Sequence, residues 1–234
     1  MDKTILCYGD SNTWGYVPQV YSKEFQLKRY PFNIRWPGRL QQMLGSKYHV
    51  IEEGLNGRTT NLDYPIPPDR NGKTHLPACL YTHAPIDLVI LALGGNDMKI
   101  QYNRNATEIF NALLELVHLI KSTNYGVNFN IPPKILVLSP LLPLSIGEQF
   151  TDEQGNFVFT GAKTKAKELV TLLDDNDNAT DNFHFLNIAN NVCLSEIDGL
   201  HLNVNGHKLL AEIIYTEIIK IFDTRTTDEQ GSKR

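Results

Sequence analysis

The chain has 234 residues, 41% of them hydrophobic and 21% charged, ordinary globular proportions at a length that a single α/β domain commonly reaches. A formal net charge of -4, with Lys and Arg scattered rather than striped, excludes the positive field that a nucleic-acid partner requires. No run approaches the roughly 20 apolar residues of a membrane span, and the three cysteines, Cys7, Cys79 and Cys193, match neither a disulfide framework nor a CxxC metal motif.

In chain order, Thr4 to Cys7 reads as the first strand, and it runs into the polar turn Gly9-Asp10-Ser11-Asn12-Thr13. A long loop, 16–35, leads to a helix over Trp36 to Leu44. The second strand, His49 to Ile51, is followed by Gly54-Leu55-Asn56-Gly57-Arg58. The third, Asp87 to Leu93, is followed by Gly94-Gly95-Asn96-Asp97. A helix over Ala106 to Ile120 and a fourth strand, Lys134 to Leu138, precede a second long loop, 140–160, with its Pro and Gly content. A helix over Gly161 to Leu173 and a fifth strand, Phe183 to Ile188, come next. The helix over Val204 to Phe222 carries an apolar stripe through Leu209, Leu210, Ile213, Ile214 and Ile218.

Strands alternating with helices call for right-handed crossovers and a mainly parallel five-stranded sheet in a three-layer α/β/α sandwich. One domain is expected over residues 1–222, with residues 223–234 a polar tail that lacks periodicity. The N-terminus carries no signal-like apolar region, so a cytoplasmic location is expected. In such sheets ligands bind beyond the carboxyl ends of the strands. Three consecutive strand ends bring Gly and small polar residues to that edge. A serine hydroxyl is a weak nucleophile until a base takes its proton, and His201 is the best-placed base for Ser11. Asp198, three residues earlier, accepts from its Nδ1 and leaves Nε2 free. The oxyanion needs preorganised donors; the candidates are the backbone N–H groups of Ser11 and Gly57 and the side-chain amide of Asn96. Trp14 and Tyr16 follow the nucleophile and either line a substrate pocket or pack at the sheet edge.

The blocks Gly9-Asp10-Ser11, Gly57, Gly95-Asn96-Asp97 and Asp198-Gly199-Leu200-His201 resemble, in order and spacing, the four blocks of the GDSL/SGNH hydrolase family. Trp36-Pro37-Gly38, Glu52-Glu53-Gly54-Leu55, Arg58-Thr59-Thr60 and Leu76-Pro77-Ala78-Cys79 are similar to its mycobacterial-type arylesterase/acyltransferase branch. That resemblance implies a flavodoxin-like sheet, short acyl esters as substrates, acyl transfer to alcohols or peroxide, and a homo-oligomer. The chain departs from the pattern where Asn12 replaces the leucine of GDSL, which makes the expected acyl pocket more polar, and where Gly95 replaces the branch's threonine.

Other readings compete. A carbohydrate O-acetyl esterase would use the same fold. A metal-dependent phosphoesterase would gather Asp10, Asn96 and His201 as ligands, but a two-metal site needs bridging carboxylates and several histidines; no cofactor or metal is expected. A non-catalytic binding module conflicts with the complete triad and oxyanion set. Asp97 reads as a helix cap, and His207 as a structural residue near a cap at Asn203. His49, His75, His83, His118 and His184 have no partner pattern. Gly72-Lys73-Thr74 lacks a phosphate loop's first glycine, and Asp174-Asp175-Asn176-Asp177 reads as a solvated turn.

Overall fold

The structure, a computed structural model, describes residues 2–20, 26–64, 68–179 and 183–223. Five strands form one sheet: β1 (Lys3–Gly9), β2 (Tyr48–Gly54), β3 (Leu88–Ala92), β4 (Lys134–Leu138) and β5 (His184–Leu186). Their order is β2-β1-β3-β4-β5, and every neighbouring pair is parallel. This is the doubly wound order in which the chain reverses direction between β1 and β3 and leaves a crevice at their carboxyl ends.

The sheet is buried on both faces because each central strand is apolar at successive positions. Ile5 and Cys7 of β1, Leu88 and Ile90 of β3, and Leu136 and Leu138 of β4 enter one core. That core also takes Trp36, Leu40 and Leu44 of α2 (Trp36–Leu44), and Leu210, Ile214, Ile218 and Ile221 of α7 (Val204–Asp223). The alternate residues, Leu6 and Tyr8, Val89 and Leu91, Ile135 and Val137, face the opposite core. There they meet α3 (Gly72–His83), α4 (Ala106–Lys121) and α6 (Ala162–Ala179). The alternation is the period-two geometry of a strand, read once for each face.

The expected helices and strands form, with shifted ends. Helix α4 starts where a capping box fixes it: Asn105 accepts from Glu108 N–H, and the Glu108 carboxylate accepts from Asn105 N–H. Helix α6 extends beyond Leu173, so Asp174 to Asp177 lies in a helix rather than a turn. Two short helices, α1 (Ser11–Trp14) and α5 (Ser145–Glu148), and the longer α3 have no counterpart among the expected elements. Helix α3 contains Pro77, which breaks its apolar pattern, and it opens at the Gly72-Lys73-Thr74 stretch, where the Asn71 side chain accepts from Thr74 N–H. Among the described residues, no helix is long and apolar enough to cross a membrane. The expected tail lies outside the described residues apart from Asp223, which ends α7.

Candidate active site

Strand β1 delivers Ser11 to the crevice. The chain turns at Asp10, whose carboxylate accepts from Asn12 N–H at 2.9 Å and so caps α1. Ser11 is the first residue of that helix, and its N–H has no acceptor among the described residues, as expected for a helix's opening turn. Burial raises the Asp10 carboxyl above its ordinary value, against the lowering effect of Asn12 N–H and of the His201, Lys99 and Arg58 charges.

The turn between β5 and α7 brings His201 to the same point. His201 Nε2 is 3.0 Å from Ser11 Oγ, and His201 Nδ1 is 2.8 Å from Asp198 Oδ2. The other Asp198 oxygen accepts from the backbone N–H groups of Leu200, at 3.0 Å, and His201, at 3.1 Å. One carboxylate therefore fixes both the turn and the ring. Burial alone would raise Asp198, but the hydrogen bond and charge of His201 and the two backbone donors outweigh it and leave the carboxyl below its ordinary value. Tyr16 stacks on the imidazole with 4.2 Å between ring centroids.

Gly57 and Asn96 flank Ser11 from β2 and β3. Gly57 has a φ of +77° and lines the cavity, and its N–H has no acceptor among the described residues. That left-handed conformation favours glycine and turns the N–H without strain. Asn96 is 9% exposed. Its amide donates to Arg58 O at 3.1 Å and makes only a long, 3.5 Å contact with Asp10 Oδ2, which leaves one donor for an oxygen in the cavity. Arg58 donates to Gly9 O at 3.0 Å and to Glu53 O, so the ends of β1 and β2 are tied beneath the site.

The neighbouring residues Asn12, Trp14 and Tyr16 take different places. Asn12 lines the cavity, yet its amide is engaged: Oδ1 accepts from Leu202 N–H at 2.9 Å, and Nδ2 donates to Leu200 O at 3.4 Å. It clamps the backbone on both sides of His201 instead of presenting polarity to an acyl chain. Trp14 is not among the cavity-lining residues; the Arg29 guanidinium lies 5.0 Å from its ring. Tyr16 does line the cavity.

Asp97 is a tertiary anchor rather than a cap. It is fully buried and accepts from Thr60 N–H at 3.0 Å, Thr60 Oγ1 at 2.5 Å and Arg104 at 3.2 Å, which joins the strand ends that carry Gly57 and Asn96. His207 is structural as expected: Asn203 caps α7 through Gly206 N–H at 2.8 Å, and His207 Nδ1 accepts from Trp36 N–H at 3.3 Å. His75 and His83 both face Glu53.

The cavity at the triad has a volume of about 310 Å³. Both long loops close it: Tyr16 and Gln19 from 16–35, and Pro140, Leu141, Phe150 and Phe159 from 140–160. The side chains of Lys99, Phe150 and Phe159 carry no motif; Phe150 and Phe159 belong to a loop marked by its length, and Lys99 follows the Gly95-Asn96-Asp97 block. Lys99 lines the wall, and burial holds its ammonium below the ordinary lysine value.

A family model described as GDSL-like lipase/acylhydrolase matches residues 7–209. The native aryl esterase of M. smegmatis is 34% identical, with a TM-score of 0.81 over 93% of this chain and 99% of that one. A carbohydrate acetylesterase from Sinorhizobium meliloti is 35% identical, with a TM-score of 0.82 over 94% of this chain and 100% of that one. A lipase/acylhydrolase from Enterococcus faecalis, 21% identical with a TM-score of 0.63 over 92% of this chain and 95% of that one, shares the fold. No curated protein sequence matches the chain. With its family model spanning most of its length and esterases among its structural relatives, the chain belongs to the GDSL-like lipase/acylhydrolase family and is a serine hydrolase that cleaves carboxylic esters.

Proposed function

We propose that this esterase cleaves small acyl esters through an acyl intermediate on Ser11, with His201 as general base and acid and Asp198 as its orienting partner. The observation that carries the reading is the continuous contact from Ser11 Oγ through His201 to Asp198, at 3.0 and 2.8 Å, with the N–H groups of Ser11 and Gly57, which have no acceptor among the described residues, and the Asn96 amide beside it. Ser11 Oγ attacks the acyl carbon as its proton passes to His201 Nε2, and Asp198 stabilises the imidazolium. The oxyanion accepts from Ser11 N–H, Gly57 N–H and Asn96 Nδ2. Collapse breaks the acyl C–O bond, and the leaving alcohol takes the His201 proton. Water, activated by the same imidazole, then attacks the acyl-serine and regenerates Ser11.

A cavity of about 310 Å³ is at the small end of the roughly 300–1,000 Å³ range of ligand pockets, which favours short acyl groups. Leu138, Pro140, Leu141, Phe150 and Phe159 give it an apolar wall. Such a wall favours an alcohol over water as acceptor, so acyl transfer belongs to the same proposal. An acetylated carbohydrate is the second reading, supported by the likeness to the Sinorhizobium meliloti protein and by Gln19 and Asn56 in the lining. Assembly into a homo-oligomer, which the resemblance to the arylesterase/acyltransferase branch implies, is also proposed.

Ser11→Ala is expected to abolish turnover of p-nitrophenyl acetate and labelling by a fluorophosphonate while the fold persists. Retained turnover in that variant would remove Ser11 from the mechanism. A series of p-nitrophenyl esters of rising chain length, with and without a competing alcohol and beside acetylated sugars, separates the substrate readings.

A further inference from the structure

A second cluster of reactive side chains lies away from the cavity, between the end of β2 and one face of α3. His75, Cys79 and His83 recur at every fourth position of α3, a spacing that aligns side chains on one face of a helix. Glu53 projects toward them from β2. Its Oε1 lies 2.9 Å from His83 Nε2 and its Oε2 lies 3.7 Å from His75 Nε2. A Glu53 oxygen, a His75 ring nitrogen and Cys79 Sγ all lie within 4.8 Å of one another; among the described residues, no other such group of three or more His, Cys, Asp or Glu side chains occurs. None of these residues lines the catalytic cavity.

We propose that Glu53, His75 and Cys79 form a binding site for a divalent transition metal of the zinc type, with His83 orienting the Glu53 carboxylate. A thiolate and an imidazole select Zn²⁺ or its neighbours over Mg²⁺ and Ca²⁺, which prefer oxygen. Metal–ligand distances of about 2.0–2.3 Å put tetrahedral donors roughly 3.3–3.7 Å apart. The Glu53–His75 separation of 3.7 Å already meets this, and with every donor pair within 4.8 Å the others need to close by no more than about 1 Å. Three protein donors leave the fourth position to water, and the charges of a carboxylate, a thiolate and a dication sum to zero.

The surroundings fit that use. His83 engages Oε1 of Glu53 and leaves Oε2 toward His75, the arrangement in which an outer histidine orients a ligating carboxylate. Tyr8 stacks on the His75 ring at 6.3 Å and 15° between planes, and the Tyr8 hydroxyl donates to Gly72 O at 2.7 Å. The His75 side chain is 51% exposed, which gives an ion access, whereas Cys79 is 4% exposed. Binding releases the thiol proton to solvent as the sulfur–metal bond forms. The ion would tie β2, which leads into Gly57, to α3.

Co²⁺ tests the site in the metal-free full chain carrying Cys193→Ser, which removes the exposed thiol. Titration is expected to produce visible tetrahedral bands and a near-ultraviolet thiolate-to-cobalt band. Cys79→Ser should abolish the thiolate band, His75→Ala should weaken binding at least tenfold, and His83→Gln should weaken it about tenfold, the usual loss for an outer partner. His75 is half exposed, so its variant keeps the test valid if Cys79→Ser fails to fold. Absence of the thiolate band in the parent, its persistence in Cys79→Ser, or unchanged affinity in His75→Ala would overturn the site.

Discussion

Asn12 neighbours Ser11 in sequence, but both of its side-chain hydrogen bonds reach the loop that carries His201. Removing them frees the backbone on either side of the imidazole without touching the cavity's apolar wall. Asn12→Ala is therefore expected to lower kcat by roughly 10 to 100-fold, the scale of a displacement of about 1 Å at a reacting group, and to change KM little. Asn12→Asp keeps the acceptor for Leu202 N–H and should retain more activity. Steady-state kinetics on p-nitrophenyl acetate checks this, and a change confined to KM would contradict the clamp. The polarity of Asn12 was legible in the sequence, but its partners were not. A side-chain amide next to a strand end has no local rule that selects a backbone about 190 residues away.

At the scale of elements, α5 and the Asp198–His201 turn meet almost without side chains. Leu144 N–H, just before α5, donates to Gly199 O at 2.9 Å. A Cβ on Gly147 would lie 2.7 Å from Gly199 O and 2.9 Å from both Gly199 C and Leu200 Cδ2. The second long loop is thus seated on the turn that carries His201. Gly147→Ala is expected to push that turn away from Ser11 and reduce kcat about tenfold or more, with the fold retained by circular dichroism; kinetics at wild-type level would show that the contact yields freely. The loop is legible in the sequence from its length and composition, but α5 is not, because four residues offer no periodicity. Helix α3 was missed for a related reason: only Leu76, Cys79 and Leu80 give it an apolar side, and Pro77 interrupts them.

For the molecule as a whole, His207 ties α7 to α2 from inside the core. Burial first, and then the Arg39, Arg35 and His201 charges, pull it down to about 3. A histidine held neutral in the fold binds fewer protons than in the unfolded chain, whose ordinary value is about 6.5. Stability linked to it is intact above pH 6.5, falls as pH drops through 6.5, and is fully lost near pH 3, at up to about 1.4 kcal/mol per pH unit. Denaturant midpoints measured from pH 7 to 4 should fall less steeply for His207→Asn than for the parent; parallel slopes would refute the linkage.

By itself the sequence determined the elements that a local pattern specifies. The apolar runs gave a five-stranded parallel sheet because both faces of each central strand must be buried. The Asp198 and His201 spacing paired a carboxylate with an imidazole because three residues of a turn bring their side chains together. The Gly9-Asp10-Ser11 turn was legible for the same reason. Only the tertiary structure decided what distant segments share. It set the 3.0 Å approach of His201 to Ser11, the clamp by Asn12, Asp97 as the anchor for Thr60 and Arg104 rather than a cap, and Glu53 against one face of α3. Those contacts depend on which strand ends and loops the doubly wound sheet makes neighbours, and a side chain's hydrogen-bond partner follows from that proximity rather than from its place along the chain.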